Sequence, residues 1–529
     1  MAHTYEDALS RLASLQSNFA ITSLFSPQVS APAGSKAQDL NAVAIPEVVA
    51  WMARAGLAPG DLAAGGLRCV HVAGTKGKGS VCAYLTSVLA QPELRPAAGR
   101  VGTYTSPHLV SVRERIMLDG APISRELFAR YFFELWDAMT ASARAEYRRR
   151  QQQNDDTEGK ITDDVEAELQ GPATKPFYFR FLTILALHAF LREGVRTVVV
   201  ECGIGGEYDS TNILPPGAVT ASVVAQLGID HVGMLGGTLP EIAWHKIGVA
   251  KAGRRTFTRR LTGDAGEEAM RVMRDRARDK GAELVELTET QIEELGSSAP
   301  RDDNNPASLA GDFQKYNRAL AAAAVPEHLR LCCGSDETLY QSVSGEALAR
   351  AMRRGLEQAR LRGRCETRED GGVTWLIDGA HTADSLREVA KWFAGRAGSH
   401  GGDARRVLVF NQQERDVGKL LEDLCAGISS GSAAAGVSPF DEVIFTRNDL
   451  QPRKDDEAER DLSVQQTAAE AFERMYQGSE ATIHDNVADA IGQVRSHGAG
   501  SEQKTLVLVT GSLHLVGALL QVLEPDAPR

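Results

Sequence analysis

The chain has 529 residues, 43% of them hydrophobic and 24% charged, which is enough apolar material for two to four globular domains at roughly 150 residues each. Its 58 basic and 70 acidic residues give a formal net charge of −12. That balance argues against a protein whose whole surface binds nucleic acid or anionic lipid, although it allows a small basic pocket for an anionic ligand.

The N-terminal residues 1–7 contain early acids and no apolar segment, so we predict neither a signal peptide nor an arginine-rich transit peptide. The longest apolar stretch, 181–191, is interrupted by His188 and is too short to span a bilayer. The 7 cysteines are odd in number and form no C-x-x-C pair, which favours free thiols in a reducing compartment over disulfides or a zinc site. We therefore expect a soluble, intracellular protein with no integral membrane segment.

Short apolar runs typical of β-strands alternate with helix-length segments along most of the chain. The runs lie at 67–72, 197–201, 218–225, 374–377, 406–410, 442–445 and 506–509. A glycine cluster after the first run opens a helical stretch from Gly79 to about Ala90. Buried apolar strands separated by helices are typical of parallel β-α-β units, so the pattern predicts an α/β fold.

Two segments interrupt this alternation. Residues 148–176 are polar, charged and almost free of aromatic side chains, which predicts a disordered surface insertion. Residues 427–438 are rich in Ser, Gly and Ala, which predicts a second flexible loop.

The domain boundary is predicted from a helix and the residues after it. An alanine-rich helix at 309–324 is expected to end at Pro326, and residues 326–345 are typical of a hinge. We therefore place the boundary near 330, with an N-terminal domain at 1–330 and a smaller C-terminal domain at 331–529.

The strongest local signal follows the first strand and comprises Gly74, Thr75, Lys76, Gly77, Lys78, Gly79 and Ser80. In a phosphate-binding loop, glycines let backbone N–H groups approach phosphate oxygens, and the N-terminus of the next helix adds partial positive charge. Lys78 would reach the terminal phosphates. The pattern departs from G-x-x-x-x-G-K-[ST], because Gly74 and Gly77 are three residues apart and Gly79 precedes Ser80. A Gly- and Lys-rich turn is therefore the alternative.

The departure itself matches a known variant. The segment G-T-x-G-K-G-S after a strand resembles the phosphate loop of the Mur ligase superfamily, and further motifs follow in the order of its folate branch. They lie at 104–109, 113–116, 201–206, 209–212, 227–231, 242–246, 309–311 with Gln314 and Asn317, 378–381 and 509–517. The resemblance spans 5–523 and is to the folylpolyglutamate synthases. Arg180 stands where bacterial relatives carry Glu, which indicates the eukaryotic, fungal-like form.

The resemblance implies an N-terminal P-loop ATPase domain with a parallel-rich central sheet flanked by helices, and a smaller Rossmann-like C-terminal α/β domain. It assigns magnesium ligation to Ser106, Glu201, His231 and, if carbamylated, Lys246. An acid at the end of an apolar strand also suits Mg²⁺ on physical grounds, although an acid that caps a loop is an equal alternative for Glu201. Histidine is an unusual magnesium ligand, so His231 beside Asp230 would by itself be a hydrogen-bonded structural residue.

Lys246 matches the lysine that this family carbamylates. Carbamylation needs a neutral amine, hence a pKa lowered by burial or by neighbouring cations. His245, Ile247 and Val249 depart from the common flanking residues. An ordinary surface lysine on a helix is the alternative.

The resemblance also assigns residues outside the loop. Asn317, Arg364 and Asp378 match ATP-contacting positions, as does Gln314, although Gln314 and Asn317 could instead be polar residues on a solvated helix face. Catalysis is assigned to Lys78, Lys246, Asp378 and His381, with His381 where the two domains meet. Without that context, the Asp-x-x-His pair could be a helix cap with a hydrogen-bonded histidine.

Arg115 matches a folate-contacting position, whereas its neighbour Arg113 is interpreted as surface charge. Phe177 and Phe181 have i, i+4 spacing, and we expect them to pack in the core rather than stack on a pterin ring.

The reaction implied is that of an ADP-forming ligase, which adds L-glutamate in γ-linkage to a reduced folate through an acyl phosphate. The expected cofactors are two Mg²⁺ ions, with ATP as co-substrate and a monovalent cation as a further candidate. The expected partners are reduced folate, L-glutamate and ATP, without nucleic acid. We expect a cytoplasmic monomer, and an additional mitochondrial pool stays open.

Two alternatives remain. Dihydrofolate synthase uses the same chemistry to add the first glutamate to dihydropteroate, although Arg180 favours the polyglutamate form. A P-loop ATPase that switches conformation without ligase activity is the alternative from another class, and it would leave Ser106, Arg115 and Asp378 without a role.

Overall fold

A computed structural model describes residues 3–15, 40–153, 161–296, 309, 311–399, 404–413, 416–429, 437–454, 456–498 and 503–524. These residues form two compact units. Unit 1 comprises the described residues up to 107, 113–296 and 315–359, and unit 2 comprises 108–112, 309, 311–314 and those from 360 onward. The segment 331–359, which the sequence analysis placed in the second domain, thus packs with unit 1.

Within the described residues, unit 1 contains a sheet of eight strands. The strands are β1 (Arg68–Ala73), β2 (Val101–Tyr104), β3 (Ile116–Leu118), β4 (Ala121–Pro122), β5 (Thr197–Glu201), β6 (Val219–Val224), β7 (Arg255–Arg259) and β8 (Glu283–Leu287). Their order is β4-β3-β2-β5-β1-β6-β7-β8. In this order the pairs from β2 through β5, β1, β6 and β7 to β8 are parallel, whereas β3 pairs antiparallel with both β2 and β4.

The helices of unit 1 connect these strands. They are α1 (Tyr5–Ala13), α2 (Leu40–Arg54), α3 (Pro59–Ala64), α4 (Lys78–Leu89), α5 (Arg95–Ala98), α6 (Arg125–Gln153), α7 (Asp163–Gln170), α8 (Tyr178–Arg192), α9 (Val232–Leu235), α10 (Leu239–Lys246), α11 (Asp264–Asp279), α12 (Glu289–Gly296), α13 (Gln314–Cys333), α14 (Glu337–Val343) and α15 (Gly345–Gln358). Five consecutive residues of β1, 69–73, are buried, as are all residues of β5 and β6. Strands buried on both faces are typical of a parallel sheet covered by helices.

The described part of unit 2 contains a second sheet, of six strands, in the order β13-β12-β11-β14-β10-β9. The strands are β9 (Glu366–Asp370), β10 (Val373–Ile377), β11 (Arg405–Phe410), β12 (Glu442–Thr446), β13 (Ala481–His484) and β14 (Thr505–Thr510). The helices are α16 (Ala383–Ser399), α17 (Val417–Ser429), α18 (Ser463–Met475), α19 (Val487–Gly498) and α20 (Leu513–Leu523). All pairs are parallel except that of β9 with β10.

Alternate residues of the strands in unit 2 enter two separate hydrophobic cores. Leu376 of β10 packs in one core with Leu408 and Leu508, whereas Trp375 and Ile377 pack in the other. Both faces of this sheet are therefore buried. Together with unit 1, this confirms the predicted α/β class with two domains and parallel-rich sheets.

The predicted disordered insertion is wrong over most of its length. α6 continues to Gln153, and α7 occupies 163–170, so only 154–160 lie outside the described residues. Arg144 of α6 forms a bidentate ion pair with Glu166 of α7, and Trp136 donates its indole N–H to the carbonyl oxygen of Gln170 over 3.1 Å. Leu169 is buried beneath these contacts. Tertiary packing thus stabilises a helix whose composition alone is too polar to predict one.

The hinge predicted at 326–345 is also wrong. α13 continues through Pro326 to Cys333, and α14 follows at 337–343. Proline removes one helical hydrogen bond, but Leu329 and Cys332 in the turns after it are buried within unit 1, and their packing stabilises the continued helix. Of the loop predicted at 427–438, residues 427–429 belong to α17, and 430–436 lie outside the described residues. No helix in the described ranges is both long and apolar enough to cross a membrane.

Candidate active site

The loop after β1 places backbone N–H groups at the N-terminus of a helix. β1 ends at Ala73, and α4 begins at Lys78 with Gly77 as its N-cap residue. Gly77 has a φ of 81°, a left-handed conformation that glycine adopts without steric cost. The first turn of a helix offers N–H groups that have no acceptor within the helix, which is the arrangement that binds phosphate. The structure therefore builds the strand-loop-helix geometry predicted over 74–80.

Residues after β6 fix this loop from the side. Thr75 and Lys76 donate their backbone N–H groups to the carbonyl oxygen of Gln226, over 2.8 and 3.2 Å. The Thr75 hydroxyl donates to the carbonyl oxygen of Gly228 over 2.9 Å. Lys78 Nζ donates to the carbonyl oxygen of Gly74 over 3.1 Å, so its ammonium group folds back over the loop.

Asn317 of α13 lies directly against the loop. A Cβ atom added to Gly77 would be 2.3 Å from Asn317 Oδ1. The side chains of Asn317 and Gln314 are buried. The alternative that these two residues lie on a solvated helix face is therefore wrong, and the predicted contact of Asn317 with ATP stays a prediction.

The register of the sheet brings Ser106 and Glu201 to the same edge as the loop. Val72 of β1 pairs with Glu201 of β5, and Tyr104 of β2 pairs with Val200. The carboxyl ends of adjacent parallel strands share one edge, where open α/β sheets bind ligands. There the backbone N–H of Ser106 donates to Oε2 of the buried Glu201 carboxylate over 2.9 Å.

A glycine-rich turn follows Glu201 and packs against the end of α10. A Cβ atom on Gly206 would be 2.7 Å from the carbonyl oxygen of His245 and 2.9 Å from that of Lys246. Glu207 donates its backbone N–H to the same His245 carbonyl oxygen over 2.8 Å. Since glycine has no side chain, it allows α10 to carry Lys246 to the turn that follows Glu201.

Lys246 is a buried lysine, with 2% of its surface exposed. Burial lowers the pKa of Lys246 to about 7, and the nearby Lys78 ammonium lowers it further, against opposing charges that include Asp230 and Asp209. The surface-lysine alternative is therefore wrong. Near pH 7 a large fraction of this amine is neutral, which is the state that carbamylation requires.

Asp209 is a buried carboxylate at the end of the same turn. Burial raises the pKa of Asp209, and hydrogen bonds oppose the rise. Its Oδ2 accepts the backbone N–H of Ile204 over 2.9 Å, and its Oδ1 accepts the backbone N–H of Thr211 over 2.9 Å. Asp209 thus joins the glycine turn to the 3₁₀ helix at Ser210–Ile213.

His231 differs from the other predicted metal ligands in its surroundings. It has a φ of 50°, and its side chain is 48% exposed. Its ring lies beside Asp230, with Nε2 3.9 Å from Oδ2. The metal ligand role of His231 stays a prediction.

The predicted folate contact, Arg115, is buried beside an aromatic ring. Its guanidinium lies 5.5 Å from the ring centroid of Tyr178, and its carbonyl oxygen accepts the backbone N–H of Thr105 over 3.0 Å. Arg113 is also buried and donates to the carbonyl oxygen of Ile123 over 3.0 Å. The interpretation of Arg113 as surface charge is therefore wrong.

The aromatic segment at the start of α8 divides into two environments. Phe181 is fully buried between Phe132 and Trp136, as the sequence predicts. Phe177 is only partly buried, and the Arg180 guanidinium covers its ring at 4.5 Å. Arg180 also forms an ion pair with Glu47 of α2.

Unit 2 places a second group of predicted residues at the end of β10. The buried Asp378 carboxylate accepts the backbone N–H groups of Cys365 and Ala380, each over 2.8 Å. Burial raises the pKa of Asp378, whereas the Arg364 guanidinium acts to lower it. His381 lies three residues after Asp378, with Nδ1 3.2 Å from the carbonyl oxygen of Gly379. The structure therefore brings Arg364 and Asp378 together within one unit.

Two residues at the edge of the sheet in unit 1 were not assigned by the sequence analysis. Gln226 binds the loop through its backbone carbonyl, which no side-chain pattern reveals. His71 of β1 is fully buried, and its Nε2 lies 2.8 Å from Thr211 Oγ1 and 3.1 Å from Cys202 Sγ. A histidine inside an otherwise apolar strand was the available signal.

The donor set at this edge suits magnesium in part. The described residues contain no group of three or more His, Cys, Asp or Glu side chains that could hold a metal ion. Magnesium in nucleotide sites commonly takes one or two carboxylates, with phosphate oxygens and water completing its shell. Glu201 beside Ser106 fits that requirement, because the Glu201 carboxylate accepts the Ser106 backbone N–H at the edge where the phosphate loop lies.

Comparison with known proteins decides the family. The chain is 36% identical over 538 residues to a folylpolyglutamate synthase of Neurospora crassa, covering 99% of this chain and 92% of the relative. The chain belongs to the folylpolyglutamate synthase family. It is also 35% identical to a folylpolyglutamate synthase of Candida albicans, over 99% of this chain and 97% of that one.

Further comparisons support the fold of this folylpolyglutamate synthase family member. Residues 362–522 match a family described as dihydrofolate synthetase, C-terminal domain. The structure of Mycobacterium tuberculosis folylpolyglutamate synthase complexed with ADP superposes with a TM-score of 0.64 at 21% identity, covering 99% of this chain and 100% of that one. The predicted resemblance, fold class and ligase class are confirmed.

Proposed function

We propose that the protein adds L-glutamate in γ-linkage to reduced folates, at the expense of ATP, and releases ADP and phosphate. The observation that carries the proposal is the meeting of three elements at one sheet edge of unit 1. They are the loop 74–80, the pair formed by Ser106 and Glu201, and the buried Lys246 packed against the turn after Glu201. The fungal relatives of this chain are named folylpolyglutamate synthases.

The chemistry requires activation of a carboxylate, which is a poor electrophile at neutral pH. A γ-carboxylate oxygen of the folate attacks the γ-phosphorus of ATP, forming an acyl phosphate and releasing ADP. The amine of glutamate then attacks the acyl carbon, the bond from carbon to the phosphate oxygen breaks, and phosphate leaves with the electron pair. The amine proton passes to solvent or to a base. The protein contributes positioning and electrostatic stabilisation.

The residues of unit 1 supply these contributions. The backbone N–H groups at the start of α4 bind the phosphates of ATP, and Lys78 moves from the carbonyl oxygen of Gly74 onto the terminal phosphates. Asn317, packed on Gly77, contacts the nucleotide. Arg115 beside Tyr178 binds a carboxylate of the folate. The family resemblance also assigns contact with ATP to Arg364 and Asp378 and catalysis to His381, and these assignments are part of the proposal.

Metal binding is part of the proposal. Ser106 and Glu201 would hold one Mg²⁺, and His231 with carbamylated Lys246 would hold a second. Bound Mg²⁺ supplies positive charge that neutralises the phosphate oxygens. The lowered pKa of Lys246 supports the carbamate, because CO₂ reacts with the neutral amine. A monovalent cation is the third candidate cofactor.

A substrate-omission assay tests this function. Purified protein is incubated with Mg²⁺-ATP, L-glutamate and tetrahydrofolate, with each omitted in turn, and ADP is measured together with product mass. We expect ADP only in the complete mixture, with a mass gain of one glutamyl unit. ADP release independent of folate would favour the ATPase switch.

Dihydropteroate in place of tetrahydrofolate tests the nearer alternative. The match of 362–522 to a domain described as that of dihydrofolate synthetase makes this comparison necessary. We expect no glutamyl product from dihydropteroate. A product there would show that the enzyme adds the first glutamate as well.

We further propose a cytoplasmic monomer. Gel filtration with light scattering would test the oligomeric state. Fluorescent tagging would test the localisation and would also reveal any mitochondrial pool.

A further inference from the structure

A chain of buried hydrogen bonds in unit 1 joins the strand before the phosphate loop to the turn after Glu201. His71 Nε2 lies 2.8 Å from Thr211 Oγ1, and Thr211 Oγ1 lies 2.5 Å from Asp209 Oδ1. All three side chains are buried, with His71 and Thr211 fully enclosed. His71 lies in β1, three residues before Gly74, the first glycine of the phosphate loop. Asp209 lies at the end of the glycine-rich turn that follows Glu201.

The hydrogen bonds of this chain have a fixed direction. Each oxygen of Asp209 accepts a backbone N–H, and in its carboxylate form Asp209 can only accept, so in that form the single hydroxyl proton of Thr211 points to Asp209. Thr211 Oγ1 must then accept from His71, which places the imidazole proton on Nε2. Burial lowers the pKa of His71 to about 3, so the ring is neutral and Nδ1 carries no proton.

The histidine at position 71 lowers the stability of the folded protein, because one of its ring nitrogens is buried without a partner among the described residues. His71 Nδ1 is buried and has no hydrogen-bond partner in the described part of the chain. An unpaired buried acceptor lowers stability, and an apolar residue in β1 would avoid that loss. The donor on Nε2 is therefore the feature of His71 that an apolar residue could not replace.

Asp209 transmits this contact to the site. Its second oxygen, Oδ2, accepts the backbone N–H of Ile204 over 2.9 Å. A Cβ atom on Gly203 would be 3.2 Å from the same oxygen, so the turn passes close to the carboxylate. Gly203 lies two residues after Glu201. A rotation of the Asp209 carboxylate would thus release the turn on which Glu201 depends.

We propose that His71 is a positioning residue for the ligase reaction, acting through Thr211 and Asp209 to hold the Glu201 turn in register with the phosphate loop. The proposal rests on the proposed function. It adds a role for a residue that touches neither ATP nor folate. Partners of this kind, one shell outside the reacting groups, commonly contribute about 10–100-fold to activity.

Four variants test this chain of hydrogen bonds. Thr211→Val removes the hydroxyl at nearly constant shape, whereas Thr211→Ser keeps it. His71→Phe removes the donor, whereas His71→Gln keeps an N–H at the reach of Nε2. We expect Thr211→Val and His71→Phe to lower kcat by about 10–100-fold with KM for ATP changed less than about threefold. We expect Thr211→Ser and His71→Gln to recover most of that loss.

The double variant His71→Phe with Thr211→Val tests whether the two residues act as one chain. If they do, the double variant loses about as much kcat as either single variant, because either change already releases Asp209. Losses that multiply would show independent effects and would overturn the proposal. The Ser and Gln variants keep the comparison valid if the double variant does not fold.

A second buried histidine–threonine pair in unit 1 provides the control. His328 Nδ1 lies 2.7 Å from Thr220 Oγ1, and both side chains are buried near the amino ends of the strands. Thr220→Val and His328→Phe should lower the melting temperature while leaving kcat within about twofold. These residues lie at the opposite edge of the sheet from the phosphate loop, so their loss leaves the geometry of the candidate site unchanged. If Thr211→Val and His71→Phe behave like these controls, the proposal is wrong. An inactive wild type would instead refute the proposed function.

Discussion

Asn317 Oδ1 occupies the space that a side chain on Gly77 would need, since a Cβ atom at Gly77 would be 2.3 Å from it. Gly77 is the N-cap residue of α4 and has a φ of 81°. The residue therefore meets two constraints at once: a left-handed backbone, and a close approach of α13. Neither constraint can be relaxed without moving the phosphate loop or Asn317.

Gly77→Ala should lower kcat by about 100-fold, because displacement of catalytic groups by about 1 Å can cost that much. Gly56→Ala is the matched control: Gly56 has a φ of 75° but no atom within 4 Å of an added Cβ. Both variants should lose stability through the left-handed backbone, Gly77→Ala should lose more because of the overlap with Asn317, and only Gly77→Ala should lose activity. Steady-state kinetics and thermal melts compare them. Equal activity of the two variants would contradict the account of this loop.

Lys246→Met should abolish glutamate ligation yet raise the melting temperature at pH 7 in bicarbonate-free buffer. The pKa of Lys246 is about 7 in the folded protein and 10.5 as an ordinary lysine, so between these pH values the unfolded state binds more protons. The buried lysine therefore lowers stability most at and below pH 7, and its cost disappears as the pH approaches 10.5.

Thermal melts of wild type and Lys246→Met at pH 7 and pH 10 measure this difference. The stabilising effect of the variant should shrink strongly at the higher pH. An effect of the same size at both pH values would show that Lys246 is not a buried amine with a depressed pKa.

His328→Phe should make the protein less sensitive to mild acid. Burial lowers the pKa of His328 from 6.5 to about 3, so the neutral ring stabilises the folded state above 6.5 and this contribution falls as the pH drops toward 3. Between pH 7 and pH 5 the loss is about 2 kcal/mol for one such histidine. Urea unfolding at both pH values measures it. An identical pH dependence in wild type and variant would refute the assignment.

Asp378→Asn should destabilise the protein by about 1–3 kcal/mol, because an amide offers one oxygen to the two N–H groups that the carboxylate now accepts. It should also weaken ATP turnover if Arg364 and Asp378 form part of the site. Asp384→Asn is the control, since its side chain is 68% exposed on α16. Denaturant midpoints separate the two variants. Equal midpoints would show that the two hydrogen bonds of Asp378 contribute little.

Much of the fold was predictable where strands are uniformly apolar. β1, β5, β6, β10, β11, β12 and β14 lie within about a residue or two of the predicted runs. β7 and β8 were not predicted, because charged and polar residues interrupt their apolar residues, as in the sequences RTFTR and ELVEL. β13 was missed because its residues are only partly buried. Edge and half-buried strands carry a weaker hydrophobic signal than central ones.

The candidate site also contains some features that the sequence predicts and others that it does not. The loop 74–80 and the end of β5 were predictable because their sequence carries the backbone requirement directly. Two contacts join residues far apart in sequence: that of Asn317 with Gly77 and that of His71 with Thr211. The burial of Lys246 likewise depends on tertiary packing. A surface-charge interpretation failed for Arg113 because tertiary packing, rather than local composition, decides whether a polar side chain is buried.

The most direct test of the account is the fate of an oxygen atom. Tetrahydrofolate carrying oxygen-18 in its γ-carboxylate is incubated with the protein, ATP, Mg²⁺ and L-glutamate, and the released phosphate is analysed by mass spectrometry. Attack of that carboxylate on ATP predicts that each phosphate released with the glutamylated product carries one labelled oxygen atom. Glutamylated product accompanied by unlabelled phosphate would contradict the acyl-phosphate mechanism, and labelled substrate recovered unchanged would contradict the ligase function itself.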